Sequence, residues 1–226
     1  MERRIIFVDD DAMSEISGEC GQVGNYVKEL TRKRISIGPT RGFFAEFSKS
    51  LHNGVFHRVD GAIEYFDQLV RSDTEWNNIH GMIIDAQMPP GTFLSNKRAV
   101  RDEMLSGSML ILYLSQQMVE QKRFGMNIYL LTNHKDSMKR LKEAYEHLLQ
   151  EADDDPMYSF VGFTDEGHDN VRLDESGIRI RYCEKATVES KAMIPPFVNA
   201  FEDWMQELDA VRRTVPIVTP LTFPLE

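Results

Sequence analysis

Cysteine is scarce in this chain. Only Cys20 and Cys183 occur among 226 residues, at no spacing that suits a metal. Cys183 falls inside an apolar run, and both cysteines read as free thiols of a reducing compartment. Basic residues are outnumbered, with 26 Lys and Arg against 36 Asp and Glu and a net charge of −10. A nucleic-acid footprint needs a basic face or a pI above about 9, so no nucleic acid is expected among the partners. No apolar run approaches the roughly 18 residues of a membrane span. Glu2-Arg3-Arg4 leads into an apolar run of only four residues, too short for the core of a signal peptide. A soluble cytoplasmic protein is expected. The six histidines show no paired metal spacing and read as surface or packing residues. No repeat or linker divides the chain, which reads as one domain over 1–213. The tail over 214–226 carries Pro216, Pro220 and Pro224 and is expected to be extended.

What the chain does have is a series of short apolar runs, each closed by a polar residue. Ile5-Ile6-Phe7-Val8 ends at Asp9-Asp10, Met82-Ile83-Ile84 at Asp85, and Ile128-Tyr129-Leu130-Leu131 at Thr132. Ile178–Cys183 is followed by Lys185. Helical stripes separate these runs: Met13 to Leu30, Ile63 to Val70, Ser108–Arg123, Met138 to Leu149, and Phe197 to Val211. Short apolar runs alternating with helices read as buried parallel strands of an α/β domain. A further strand is expected at Val55–Val59 and another short one near Tyr158–Phe163. Residues 32–54, 92–107 and 157–177 break the alternation and read as insertions. Ligands of open α/β sheets bind at the carboxyl ends of the strands. Asp9, Asp10, Asp85, Thr132 and Lys185 are therefore expected to converge, although 176 positions separate the first from the last.

These residues resemble the receiver domain of two-component response regulators. Asp9-Asp10 is similar to the family's acid pair, and Asp85-Ala86-Gln87-Met88-Pro89 to its phosphoacceptor strand end. Thr132 matches the hydroxyl position, and Tyr182 stands three residues before Lys185, like the aromatic switch. The resemblance implies a doubly wound, five-stranded parallel sheet of flavodoxin-like order. It implies a Mg²⁺ site with Asp10, Asp85 and the main-chain carbonyl of Gln87 as ligands and Asp9 acting through water. Asp85 would accept the phosphoryl group, Lys185 and Thr132 would contact it, and Thr132 with Tyr182 would form the switch. A histidine kinase or phosphotransfer protein would be the donor. Output would run through protein contacts, homodimer formation or onward phosphotransfer, with autophosphatase activity at most. Ala186 and Asn133 depart from the family, which places Pro after the lysine and a very small residue after the hydroxyl.

Hard cations such as Mg²⁺ prefer oxygen ligands, and a carboxylate nucleophile forms an acyl phosphate, so the chemistry asks for these residue types independently. Two other readings compete. One is a receiver-like scaffold that is never phosphorylated. The other resembles the haloacid dehalogenase phosphatases, with Asp9 as nucleophile and Asp11 as acid/base. There the acidic strand end Asp85 precedes Thr132 and Lys185, which is the wrong order for that family.

Overall fold

The computed structural model describes residues 3–12, 22–89, 91–92, 106–132, 163–167, 170–185 and 191–214, and for a few of these, Thr132 among them, the backbone alone. The apolar runs form the parallel centre of one sheet. β1 (Arg3–Val8) carries two short strands on one edge, β2 (Ile35–Ile37) beside its first half and β4 (Val55–Phe56) beside Val8. Beyond its other edge follow β5 (Ile79–Asp85), β6 (Met126–Thr132) and β9 (Ile178–Glu184), all parallel. β3 (Leu51–His52) pairs antiparallel with β4. At the far side, β8 (Asn170–Leu173) and β7 (Phe163–Gly167) continue the sheet antiparallel beyond β9. The architecture is α/β on a mixed, mostly parallel sheet.

Nine strands are present among the described residues, against an expectation of five parallel strands and one short strand near Tyr158–Phe163. The four strands beyond those five, β2, β3, β7 and β8, all lie in segments read as insertions, 32–54 and 157–177. These segments extend the sheet; they are not excursions from it. The physical reason is that unpaired backbone groups along an exposed strand edge need partners. Ile35 and Ile37 carry one edge of β1, and Val171 and Leu173, buried either side of exposed Arg172, carry β9.

Helices cover both faces. Ile5 and Phe7 point to one side, where they meet Val23, Tyr26 and Leu30 of α1 (Gln22–Arg32) and Val198, Phe201 and Trp204 of α6 (Ile194–Thr214). α2 (Arg41–Phe44) is a short surface turn. Ile6 and Val8 point to the other side, among Ile63, Phe66 and Leu69 of α3 (Val59–Arg71), Trp76 of α4 (Asp73–Asn78) and Leu110 to Leu114 of α5 (Ser106–Glu120). All seven residues of β5 are buried, as a strand between two helical layers must be. The alternation of side chains along each strand thus feeds two cores.

Boundaries differ in instructive places. The strand expected at Val55–Val59 stops at Phe56 because Val59 opens α3. α5 begins two residues before Ser108 and ends at Glu120, not Arg123; Lys122 then takes a left-handed φ of 55°, which no helix continues. The first stripe is helical from Gln22; Met13, Ile16 and Cys20 lie outside the described residues. So do the expected helix near 135–152, the segment 158–162 and the tail beyond Thr214. No helix among the described residues is long and apolar enough to cross a membrane.

Candidate functional site

The parallel strands end level with one another. Val8 stands beside Ile84, Asp85 beside Leu131, and Thr132 beside Glu184. The residues that follow are delivered to one place. Lys185 leaves β9 and buries its side chain completely, its Nζ 2.9 Å from Asp85 Oδ2, 2.9 Å from Asp11 Oδ2 and 3.1 Å from Asp9 Oδ1. Carboxylate oxygens of Asp9, Asp10 and Asp85 lie within 4.8 Å of one another. The convergence expected from strand-end positions is therefore present for Asp9, Asp10, Asp85 and Lys185.

Local structure fixes each group. The Asp9 amide donates to the carbonyl of Phe56 at 2.9 Å, tying the end of β1 to β4. The chain then turns so that the Asp11 amide donates to Asp9 Oδ1 at 3.0 Å. The Gln87 amide donates to Asp85 Oδ1 at 3.1 Å, so both oxygens of Asp85 are held, one by Gln87 and one by Lys185. The loop after Asp85 is clasped by the start of α5. Ser106 Oγ accepts from the Met88 amide at 2.9 Å and donates to the Met88 carbonyl, and the Gly107 amide donates to the Ala86 carbonyl at 3.1 Å. A Cβ at Gly107 would overlap the carbonyl oxygen of Asp85, so only glycine allows this approach.

Charge in this cluster does not balance. Four carboxylates, those of Asp9, Asp10, Asp11 and Asp85, face one ammonium. Burial pushes the Asp9 carboxyl up to about 8, against the opposing pull of Lys185. Burial and the neighbouring Asp85 push Asp10 to about 6. Burial also raises Asp85, again against Lys185. Burial would lower Lys185, but Asp9 and Asp85 outweigh it and hold the ammonium above its ordinary value. Asp9 Oδ2 lies 3.0 Å from Nζ yet without an aligned hydrogen bond, a buried acceptor lacking a donor. Carboxylates raised by burial, with an acceptor to spare, fit a hard cation bound through oxygen. The cluster could hold a metal ion.

The remaining expected residues are placed as follows. Thr132 closes β6, and its side chain lies outside what is described. Gln87 enters the site through its amide. Tyr182 on β9 stands beside Leu130, its ring half-buried against the core under α3 and α5. Asn133 and Ala186 lie outside the described residues. Three contributors were missed. Asp11, read as the acid/base of a phosphatase, is a direct partner of Lys185, and its place in the run Asp9-Asp10-Asp11 was the available signal. Ser106 and Gly107 were read as the end of an insertion and carried no signal of their own. Comparison with protein-family models, with curated proteins and with solved structures returned no match.

Proposed function

We propose that this chain is a phosphoryl-accepting receiver, built on a flavodoxin-like sheet whose parallel centre reads β2/β4–β1–β5–β6–β9. The observation that carries this reading is Lys185 joined to Asp85 and Asp9 at the strand ends, beside the cluster of Asp9, Asp10 and Asp85. In the reaction, a carboxylate oxygen of Asp85 attacks the phosphorus of a phosphohistidine on a donor protein. The P–N bond breaks, its electron pair returns to the imidazole, and an acyl phosphate forms on Asp85. Asp85 meets two demands of that step. Its backbone is clasped by Ser106 and Gly107, and its second oxygen is already oriented by the Gln87 amide.

Lys185 neutralises the arriving phosphoryl oxygens, the principal requirement of such a transition state. Asp10, Asp85 and the carbonyl of Gln87 would hold Mg²⁺, with Asp9 acting through water; the bound ion supplies further charge neutralisation at those oxygens. Thr132 would donate a hydrogen bond to the phosphoryl group, and the vacated space would admit Tyr182, a local charge event read by a two-position side chain. Water attack on the acyl phosphate regenerates the Asp85 carboxylate and releases inorganic phosphate. Output would follow through protein contacts on a cytoplasmic partner, a second copy, or a further phosphotransfer protein.

Two observations keep other readings in play. Asp85 is only 5% exposed, which suits a scaffold that binds a partner and is never phosphorylated. Asp11 touches Lys185 beside Asp9, which suits a phosphatase using Asp9 as nucleophile. Against the latter, Asp9 has no exposed surface. The deciding experiment is intact mass after incubation with Mg²⁺ and acetyl phosphate. One Mg²⁺-dependent phosphoryl adduct is expected, labile to hydroxylamine and absent from Asp85→Asn. An adduct surviving that substitution, or multiple turnover of a phosphoester lost in Asp9→Ala but kept in Asp85→Ala, overturns the receiver reading.

A further inference from the structure

At the opposite end of β1 from the acidic cluster lies an open cleft of about 780 Å³. Arg4 lines it from the start of the strand, five residues before Asp9 and so about 16 Å from it. Arg34 and Arg41 line it as well, and none of the lining residues carries a carboxylate. In a chain of net charge −10, three guanidinium groups around one cavity are a local reversal of sign. Val27, Ile37 and Phe44 supply an apolar wall, and Phe44 is 42% exposed there. Arg4 is anchored, donating to the carbonyls of Gly38 and Pro39. No acidic partner pairs with Arg34 or Arg41 among the described residues.

Arg34 carries a second signal. It sits just past α1 with a φ of 58°, its amide donating to the carbonyl of Thr31 at 2.9 Å. That left-handed position after a helix normally takes glycine. An arginine there bears backbone strain, and strained positions cluster where a side chain must be presented.

We propose that this cleft binds a small organic anion, a phosphate, sulfonate or carboxylate carried on an aromatic or apolar body. Guanidinium forks grip such anionic groups bidentately, and the volume falls in the usual range of small-ligand sites, about 300–1,000 Å³. A peptide strand is the poorer fit. β2 pairs only with β1 among the described residues, but its three residues offer too short an edge for β-augmentation.

The probe is 8-anilinonaphthalene-1-sulfonate, titrated by fluorescence into the full chain. Saturation at one site is expected, with affinity falling as salt rises. Arg34→Gln combined with Arg41→Gln should weaken it by about tenfold or more, while the neutral N-phenyl-1-naphthylamine should show no such dependence. Arg34→Gly separates binding from folding: it relieves the left-handed strain, so its unfolding midpoint should be no lower than wild type, yet its affinity should fall. Equal affinity in either variant, or no saturable binding below about 1 mM, overturns the proposal.

Discussion

One ammonium at Lys185 faces the carboxylates of Asp9, Asp11 and Asp85, and both Lys185 and Asp9 are cut off from water. Removing one member of a buried charge cluster is far more harmful than replacing the whole, because the remaining charges stay desolvated and unpaired. Lys185→Met should therefore destabilise the fold by about 3–5 kcal/mol, read from the urea midpoint. Adding Asp9→Asn to that variant should recover part of the loss, since it removes the most buried of the carboxylates. A Lys185→Met protein as stable as wild type would mean that the ammonium does not hold the cluster together. At this scale much was legible. Asp9, Asp85 and Lys185 each end an apolar run, and strand ends of a parallel sheet share one level. Asp11 escaped because a carboxylate at that position is satisfied equally well by capping a helix. Nothing local distinguishes the two roles until Lys185 arrives from 174 residues away.

The elements that were overlooked carried weak local signals. Asn53-Gly54 is a two-residue hairpin turn, and its φ values of 50° and 85° are both left-handed, as a type I′ turn requires. The dipeptide was readable, but flanking strands of two residues each are too short to announce themselves by alternation. α4 opens with Ser72-Asp73-Thr74-Glu75, and Ser72 Oγ accepts from the Glu75 amide, half of a capping box. Its six residues give no periodicity to detect. Glu75 then serves a tertiary purpose, accepting from the Tyr65 hydroxyl at 2.7 Å and the Thr40 amide at 2.9 Å. β7 and β8 were hidden because antiparallel pairing onto β9 is decided by the sheet edge they cover. The start of α5 matters most to the site, since it holds the Asp85 loop. Gly107→Ala should push the Asp85 carbonyl away from the helix, destabilising by about 1–3 kcal/mol, the range of overpacked interiors. On the proposed receiver reading, the same variant should form the Asp85 adduct more slowly than wild type at equal folded fraction. Unchanged stability and rate would show that the loop adapts without moving the carboxylate.

Over the whole molecule, the acidic cluster couples folding to pH, and the proposed cation site would couple it to divalent ions as well. Burial raises Asp9 from 3.8 to about 8 and Asp10 from 3.8 to about 6. The folded protein thus retains protons that the unfolded chain has already released. A carboxyl raised in this way stabilises the fold fully below its unfolded value, and that contribution is lost as pH climbs through the folded value. His57, held below its ordinary value by burial, acts in the opposite sense, but only below about pH 6.5. The window that reports the cluster is therefore about pH 6.5 to 8, above the range of His57 and below the point where folded Asp9 has lost its proton as well. In the presence of a chelator, the thermal midpoint should fall across that window. On the proposed reading, a divalent cation would replace the displaced proton and bind only the folded state, so Mg²⁺ should raise the midpoint more at pH 9 than at pH 7. Asp9→Asn should flatten the chelator profile, because the group that titrates is gone. A midpoint that rises with pH in the chelator, or a Mg²⁺ effect of equal size at both pH values, would show that the cluster is not the cation site.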